Sequence, residues 1–148
     1  MRKIKDQPIL NRFQSAQVLA RDAGLYAMQW FSTNNKNLQT EKKGPQNWVS
    51  IADHEVEKMI RGKLEELFPE DGFLGEESGT RNLDAEGIWV VDPIDGTSCF
   101  LNGIPSWCVS IAYVLKNRIN IGVIYSPCSD RPEEHTSELK SQWDIVCR

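Results

Sequence analysis

The sequence predicts an α+β fold in which two long helices pack on one face of a largely antiparallel sheet. Two observations support this prediction. Before Pro69, apolar residues recur at helical spacing in two long segments. After Pro69 they form short runs, or alternate with smaller residues, as strands do. The helices are therefore expected first along the chain and the sheet second.

The first helix is predicted from Pro8 to about Phe31, because one apolar face runs through this segment and Pro8 suits a first helical turn. The polar residues 32–46 include Asn-Asn-Lys and Gly-Pro, which favour a loop or an irregular hairpin. Residues 49–53 lead into a second helix that ends at Pro69. Its predicted apolar face contains Val56, Met59, Ile60, Leu64, Leu67 and Phe68.

Several strands are predicted after Pro69. Residues 72–75 favour a short strand that ends in a turn. The apolar run at residues 88–91 is typical of a strand buried on both faces. Residues 109–115 and 119–125 alternate in polarity or size around Lys-Asn-Arg, which predicts a β-hairpin.

Composition narrows the function. The 148 residues are 40% hydrophobic and 26% charged, as in one soluble domain. A net charge of −4 argues against a nucleic-acid polymer as partner. No apolar run approaches the roughly 20 residues that cross a bilayer, and the basic start lacks a signal peptide's apolar region. A cytoplasmic location and no membrane association are the default expectations.

The cysteines favour neither zinc nor disulfides. Cys99, Cys108, Cys128 and Cys147 form no C-x-x-C pair, and neither histidine lies near them in sequence. In a reducing compartment they are most simply buried thiols.

The acids that follow two predicted strands suggest a metal site. Glu76 follows the first strand, while Asp92 and Asp95 follow the apolar run. Carboxylates against a buried strand need neutralising, and Mg²⁺ prefers such oxygen ligands. Pro93 stiffens the turn between the two aspartates, and Gly96 permits close backbone approach. A helix starting there would offer amides to an anion, which is a layout for metal-assisted phosphate-ester hydrolysis.

Simpler interpretations exist for each piece. Glu76-Glu77 alone is more often a solvated acidic turn, and Asp92 alone could form an Asx-turn before Pro93. The string also resembles the D-x-D-x-T motif of aspartyl-nucleophile phosphatases. Here, however, the acids are three residues apart with a proline between them, which favours metal binding.

Three ordered segments resemble the inositol monophosphatase family. Residues 89–102, W-V-V-D-P-I-D-G-T-S-C-F-L-N, are similar to its W, apolar, D-P-I-D-G-T signature. Residues 75–78, G-E-E-S, resemble its G-E-E-S element. Residues 43–53, K-G-P-Q-N-W-V-S-I-A-D, resemble its K-G-x-x-D-x-V-T-x-x-D segment. The resemblance covers roughly residues 8 to 130.

The resemblance implies a role for each matching residue. Glu76, Asp92 and the Ile94 carbonyl would hold a first Mg²⁺, and Asp95 would join Asp92 on a second. Thr97 and Glu76 would orient the attacking water, and Asp53 would accept a hydrogen bond from Thr97. The amides of Gly96 and Thr97 would hold the phosphate, and Lys43, or less favourably Lys42, would tune the site. The substrate-binding residues would be Glu76, Ile94, Asp95, Gly96 and Thr97.

The family also implies a larger protein than this chain. The chain resembles the amino-terminal half of a layered αβαβα sugar-phosphatase fold, without its carboxyl-terminal α/β domain. We expect residues 1–130 to form the metal-binding domain, with an apolar interdomain face left exposed. Residues 131–148 resemble the translated frame of a DNA-sequencing adaptor, the alternative being a genuine charged helix. We expect little or no phosphatase activity from this chain alone.

The chain departs from the family pattern at two positions. Asn47 stands where the family usually has Asp, and Cys99 where Asn is common. Inositol monophosphate is the favoured substrate. Histidinol phosphate, fructose 1,6-bisphosphate, 3′-phosphoadenosine nucleotides, or a non-catalytic role in metal or phosphate binding remain alternatives. The partner is thus a small phosphorylated metabolite, and the full-length parent could be a homodimer.

Overall fold

A computed structural model describes residues 7–37 and 45–129 of the chain. Helices α1 (Gln7–Asn37) and α2 (Pro45–Leu67) come first, followed by strands β1 (Gly72–Gly75), β2 (Gly79–Arg81) and β3 (Gly87–Asp95). A short helix α3 (Thr97–Leu101) then precedes β4 (Cys108–Leu115) and β5 (Arg118–Tyr125). The predicted α+β fold is confirmed. None of the described helices is long and apolar enough to cross a bilayer.

The predicted loop at residues 32–46 is wrong over much of its length. Residues 32–37 continue α1, and α2 begins at Pro45. Polar side chains alone do not end a helix, because its backbone hydrogen bonds can continue past them. Proline is favoured at a first helical position because its φ angle is preset. Residues 38–44 lie outside the described part, as do Lys42 and Lys43.

The five strands form one sheet in the order β2-β1-β3-β4-β5. Neighbours pair antiparallel except β1 and β3, which are parallel. The predicted hairpin is β4–β5, with Lys116 and Asn117 at positive φ in its turn. Strand β2 was not anticipated, because its three residues Gly-Thr-Arg carry no apolar pattern.

The core lies between the two long helices and one face of the sheet. Four alanines on α1 are fully buried, and their small size allows close approach of α2 and the sheet. Trp89, Val91, Ile111 and Val123 supply the sheet side. Leu67, expected on the apolar face of α2, is instead about half exposed.

The other face of the sheet is only partly covered in the described part of the chain. Ile88 and Val90 are half-buried, so β3 is not buried on both faces as predicted. By strand register, Leu74, Ile119 and Ile124 share this outer face, with exposures of 40, 60 and 43%. The outer face thus carries exposed apolar side chains among the described residues, while its role as an interdomain face stays a prediction.

A buried polar group fastens α1 to the sheet. The Asp71 carboxylate accepts two hydrogen bonds from the Arg12 guanidinium, at 2.8 and 2.9 Å. It also accepts one from the Trp89 indole at 3.0 Å and one from the Tyr113 hydroxyl at 3.3 Å. Arg12 lies over the rings of Phe68 and Tyr113. One carboxylate therefore joins α1, the loop after α2, β3 and β4.

Candidate metal centre

The parallel pairing of β1 and β3 brings the first two predicted acids to one edge of the sheet. Gly75 ends β1 and pairs with Val91 of β3. Glu76 and Asp92 directly follow this pair, and the carboxyl ends of parallel strands lie at the same edge. Glu76 lies close enough to Asp92 to raise the pKa of that carboxyl. Topology, rather than sequence proximity, assembles this half of the site.

A β-bulge lets carboxylates three residues apart in the sequence lie on the same face of β3. Asp92 pairs with Ser110 and Asp95 with Cys108, so β3 has one residue more than β4 across this interval. In a regular strand, the side chains of residues i and i+3 would point to opposite faces. The extra residue of the bulge brings them to the same face. Pro93 lies in the bulge, where its missing N–H is tolerated. The predicted turn between Asp92 and Asp95 is therefore a bulged strand end.

The next element starts at Gly96, which is left-handed with φ 93° and ψ 39° and precedes α3. A Cβ atom here would lie 2.9 Å from the Ser106 carbonyl oxygen. The residue needs glycine on both counts. Beneath α3, the Phe100 ring packs on Trp107 at 4.9 Å and on Phe31 at 5.4 Å between centroids. These aromatic rings hold the Gly96-Thr97 backbone beside Asp95.

Two acids at this edge are held against ionisation. Burial, then the charges of Glu77, Glu76, Asp92 and Glu57, raise the pKa of Asp53 to about 7. Burial, then Glu76 and Asp95, raise the pKa of Asp92 to about 7. Every charge named here is negative, so the site favours either protons or a cation.

The residues present fit a hard divalent cation. One oxygen of Asp92, Oδ1, is buried without a hydrogen-bond partner among the described residues. A buried carboxylate oxygen without a donor is suited to a metal ligand. The exposed Glu76 and Asp95 flank it. Within the described ranges, no three acidic, His or Cys side chains are already gathered closely enough to hold an ion.

Thr97 makes a different hydrogen bond from the one expected. Its hydroxyl donates to the Ile94 carbonyl oxygen at 3.2 Å, and no hydrogen bond joins it to Asp53 in the described part of the chain. A carbonyl has two lone pairs, so Ile94 keeps one for a cation. Asp53 is 6% exposed and lies on α2, where the acidic residues of the turn after β1 act on its pKa. Its role through Thr97 stays a prediction.

Two nearby residues were not anticipated as part of the site. The Cys108 thiol lies 3.8 Å from Asp95 Oδ2, and burial and that carboxylate raise its pKa to about 11, so the thiol stays protonated at neutral pH. The described cysteines are half-buried rather than buried.

Glu57 is fully buried and contacts the turn after β1. The sequence signal that could have identified Glu57 is its position on the apolar side of α2, four residues after Asp53.

The chain is similar to several known proteins. The model of the inositol monophosphatase family matches residues 10–142. Inositol-1-monophosphatase from Rhizobium meliloti is 39% identical over 127 residues, which is 85% of this chain and 44% of the relative. The enzyme of the same name from Mesorhizobium japonicum is 45% identical over 104 residues, which is 70% of this chain and 38% of that protein.

A solved structure shows the same fold. The extragenic suppressor protein suhB from Bartonella henselae superposes with a TM-score of 0.68 at 40% identity, covering 79% of this chain and 45% of suhB. The chain spans less than half the length of the relatives it matches. The boundary predicted at residue 130 stays a prediction. On its family match, its fold and its ordered motifs, the chain belongs to the inositol monophosphatase family.

Proposed function

We propose that this chain carries the Mg²⁺- and phosphate-binding half of a phosphomonoesterase site. The observation that supports this most is the buried, unpartnered Oδ1 of Asp92, whose carboxyl lies close enough to Glu76 and Asp95 for their charges to raise its pKa. Because the chain covers less than half of its relatives, hydrolysis is proposed for the protein with the whole family fold.

The residues of this chain have separate proposed roles. Glu76, Asp92 and the Ile94 carbonyl would hold one Mg²⁺, and Asp95 with Asp92 a second. When bound, Mg²⁺ supplies positive charge to the phosphoryl oxygens and favours ionisation of water. Glu76 and the Thr97 hydroxyl orient the attacking water, and Asp53 supports them from α2. Backbone amides of Gly96 and Thr97 donate to the phosphate, while Lys43 tunes the site's charge.

Inositol monophosphate is the substrate we favour. The support is the name of the two rhizobial relatives, inositol-1-monophosphatase, together with the compact D-P-I-D-G-T-S motif in this chain. Release of inorganic phosphate from inositol monophosphate tests this on the full-length parent, with histidinol phosphate and fructose 1,6-bisphosphate as competing substrates. Equal or faster release of phosphate from a competing substrate would show that the substrate assignment is wrong, but it would leave the proposed metal centre unaffected.

The metal centre can be tested on the 148-residue chain. Replacing Asp92 with asparagine removes the charge and one ligand oxygen, so we expect Mn²⁺ binding, used in place of Mg²⁺, to weaken at least about tenfold. Electron paramagnetic resonance of free Mn²⁺ during a titration measures this directly.

The matched control is Asp84→Asn, the same chemical change at an exposed aspartate in the β2–β3 turn. It should bind Mn²⁺ as the unchanged chain does. If Asp92→Asn and Asp84→Asn bind equally well, Asp92 is not a ligand and the proposed function loses its main support.

A further inference from the structure

We propose that Glu57 is a positioning residue for this centre, fixing the turn that presents Glu76. The inference rests on the proposed function, because positioning matters only if Glu76 binds a cation. Glu57 lies on α2, and the turn it contacts, residues 76–78, joins β1 to β2.

Glu57 is a carboxylate with no exposure to solvent, set between Val56 and Ile60 on the core side of α2. Such a group is costly to bury unless donors surround it. Its Oε2 accepts the backbone amide of Glu77 at 2.8 Å. Its Oε1 accepts the amide of Ser78 at 2.7 Å and also the Ser78 hydroxyl. With both oxygens engaged by donors, Glu57 is suited to holding the turn rather than to binding a cation.

The bonded amides are those that immediately follow Glu76. Anchoring them fixes the peptide planes on the carboxyl side of Glu76, and hence the direction in which its side chain leaves the backbone. Arg61 lies one helical turn further along α2 and donates to the Ser78 hydroxyl at 3.2 Å and its carbonyl at 3.4 Å. Helix α2 therefore holds the turn with an acceptor and a donor, while Glu76 itself stays exposed.

The end of β1 packs on the same carboxylate from the other side. A Cβ atom at Gly75 would collide with Oε1 of Glu57 and lie 2.7 Å from the Phe73 ring. Gly75 pairs with Val91, the residue before Asp92. Glu57 thus contacts both the strand end and the turn that together set the separation of Glu76 from Asp92. This is the distance that a shared cation depends on.

The test is a Mn²⁺ titration of Glu57→Gln followed by electron paramagnetic resonance. Glutamine keeps the size of the side chain but turns an NH₂ group toward one of the three donors, so at least one hydrogen bond is lost. We expect Mn²⁺ affinity to fall by about tenfold, the effect typical of residues that orient a ligand. Ser78→Ala removes only the hydroxyl donor, and its affinity should fall by a smaller factor.

Two controls separate positioning from simple loss of stability. Ile60→Val, on the same helix, removes a buried methyl group without touching the turn. It should destabilise the chain yet bind Mn²⁺ normally at a temperature where all variants are folded. Glu66→Gln removes an exposed carboxylate paired with Lys63 and should change neither property.

A readout independent of metal is hydrogen exchange at the amides of Glu77 and Ser78, followed by nuclear magnetic resonance. Both should exchange faster in Glu57→Gln than in the unchanged chain or Ile60→Val. If the unchanged chain fails to bind Mn²⁺, the proposed function fails, and unchanged exchange would overturn the positioning role separately. Normal Mn²⁺ affinity in folded Glu57→Gln also overturns it; if that variant does not fold, Ser78→Ala decides by the same two readouts.

Discussion

Replacing Asp71 with alanine is expected to lower the free energy of unfolding by about 3–5 kcal/mol, the effect of breaking a buried ion pair by removing one partner. Asp71 is 6% exposed and Arg12 is 17% exposed, so water replaces the lost contacts poorly. The change also leaves the Trp89 indole and the Tyr113 hydroxyl without their acceptor. Urea unfolding followed by tryptophan fluorescence measures the difference.

The control for this change is Asp84→Ala, which removes an exposed aspartate from the same region and should alter stability by less than about 0.5 kcal/mol. A double change, Arg12→Ala with Asp71→Ala, should cost less than the sum of the single changes because the two residues share one interaction. A cost for Asp71→Ala as small as that of Asp84→Ala would show that the network contributes little to the fold.

The helices and the β4–β5 hairpin were predictable because their signals are local. Apolar spacing located α1 and α2, and alternation around Lys116 and Asn117 located the hairpin. The extension of α1 through residues 32–37 was missed, because its polar composition favours a loop when no neighbouring structure is considered. Propensity is a weak guide at helix ends, where backbone hydrogen bonding continues regardless of side-chain polarity.

The acids of the site were predictable, but their assembly was not. Asp92 and Asp95 stand in a recognisable string, and spacing three implied a turn. The structure uses a bulge instead, which depends on how β3 pairs with β4. The closeness of Glu76 to Asp92 depends on the parallel pairing of β1 with β3, a contact set by the whole sheet. Glu57 went unnoticed since a lone acid in a helix is usually at the surface.

The strongest pH effect should come from the two acids whose pKa values are raised to about 7, Asp53 and Asp92. Both bind protons in the folded, metal-free chain at a pH where the unfolded chain has lost them. They therefore stabilise the folded chain fully below pH of about 4, and this stabilisation is lost as the pH rises through about 7. Without divalent cations, the melting temperature should fall over this window.

Cation binding should follow the opposite trend, because a cation binds the ionised carboxylates and displaces their protons. If both acids must ionise, Mn²⁺ affinity should fall about one hundredfold between pH 8 and pH 6, close to tenfold for each group. Isothermal titration calorimetry in buffers of different ionisation enthalpy would measure the affinity and count the protons released.

Asp53→Asn removes the contribution of Asp53 to the pH dependence and leaves that of Asp92. Asparagine cannot ionise, so the variant should melt at a higher temperature than the unchanged chain at pH 8 in the presence of a chelator. Its Mn²⁺ affinity should then fall only about tenfold between pH 8 and pH 6, because Asp92 alone still titrates. Asp84→Asn should keep the full hundredfold dependence. An affinity that does not change with pH in the unchanged chain would mean that these carboxyls are already ionised before the cation arrives, and the electrostatic account of the centre would be wrong.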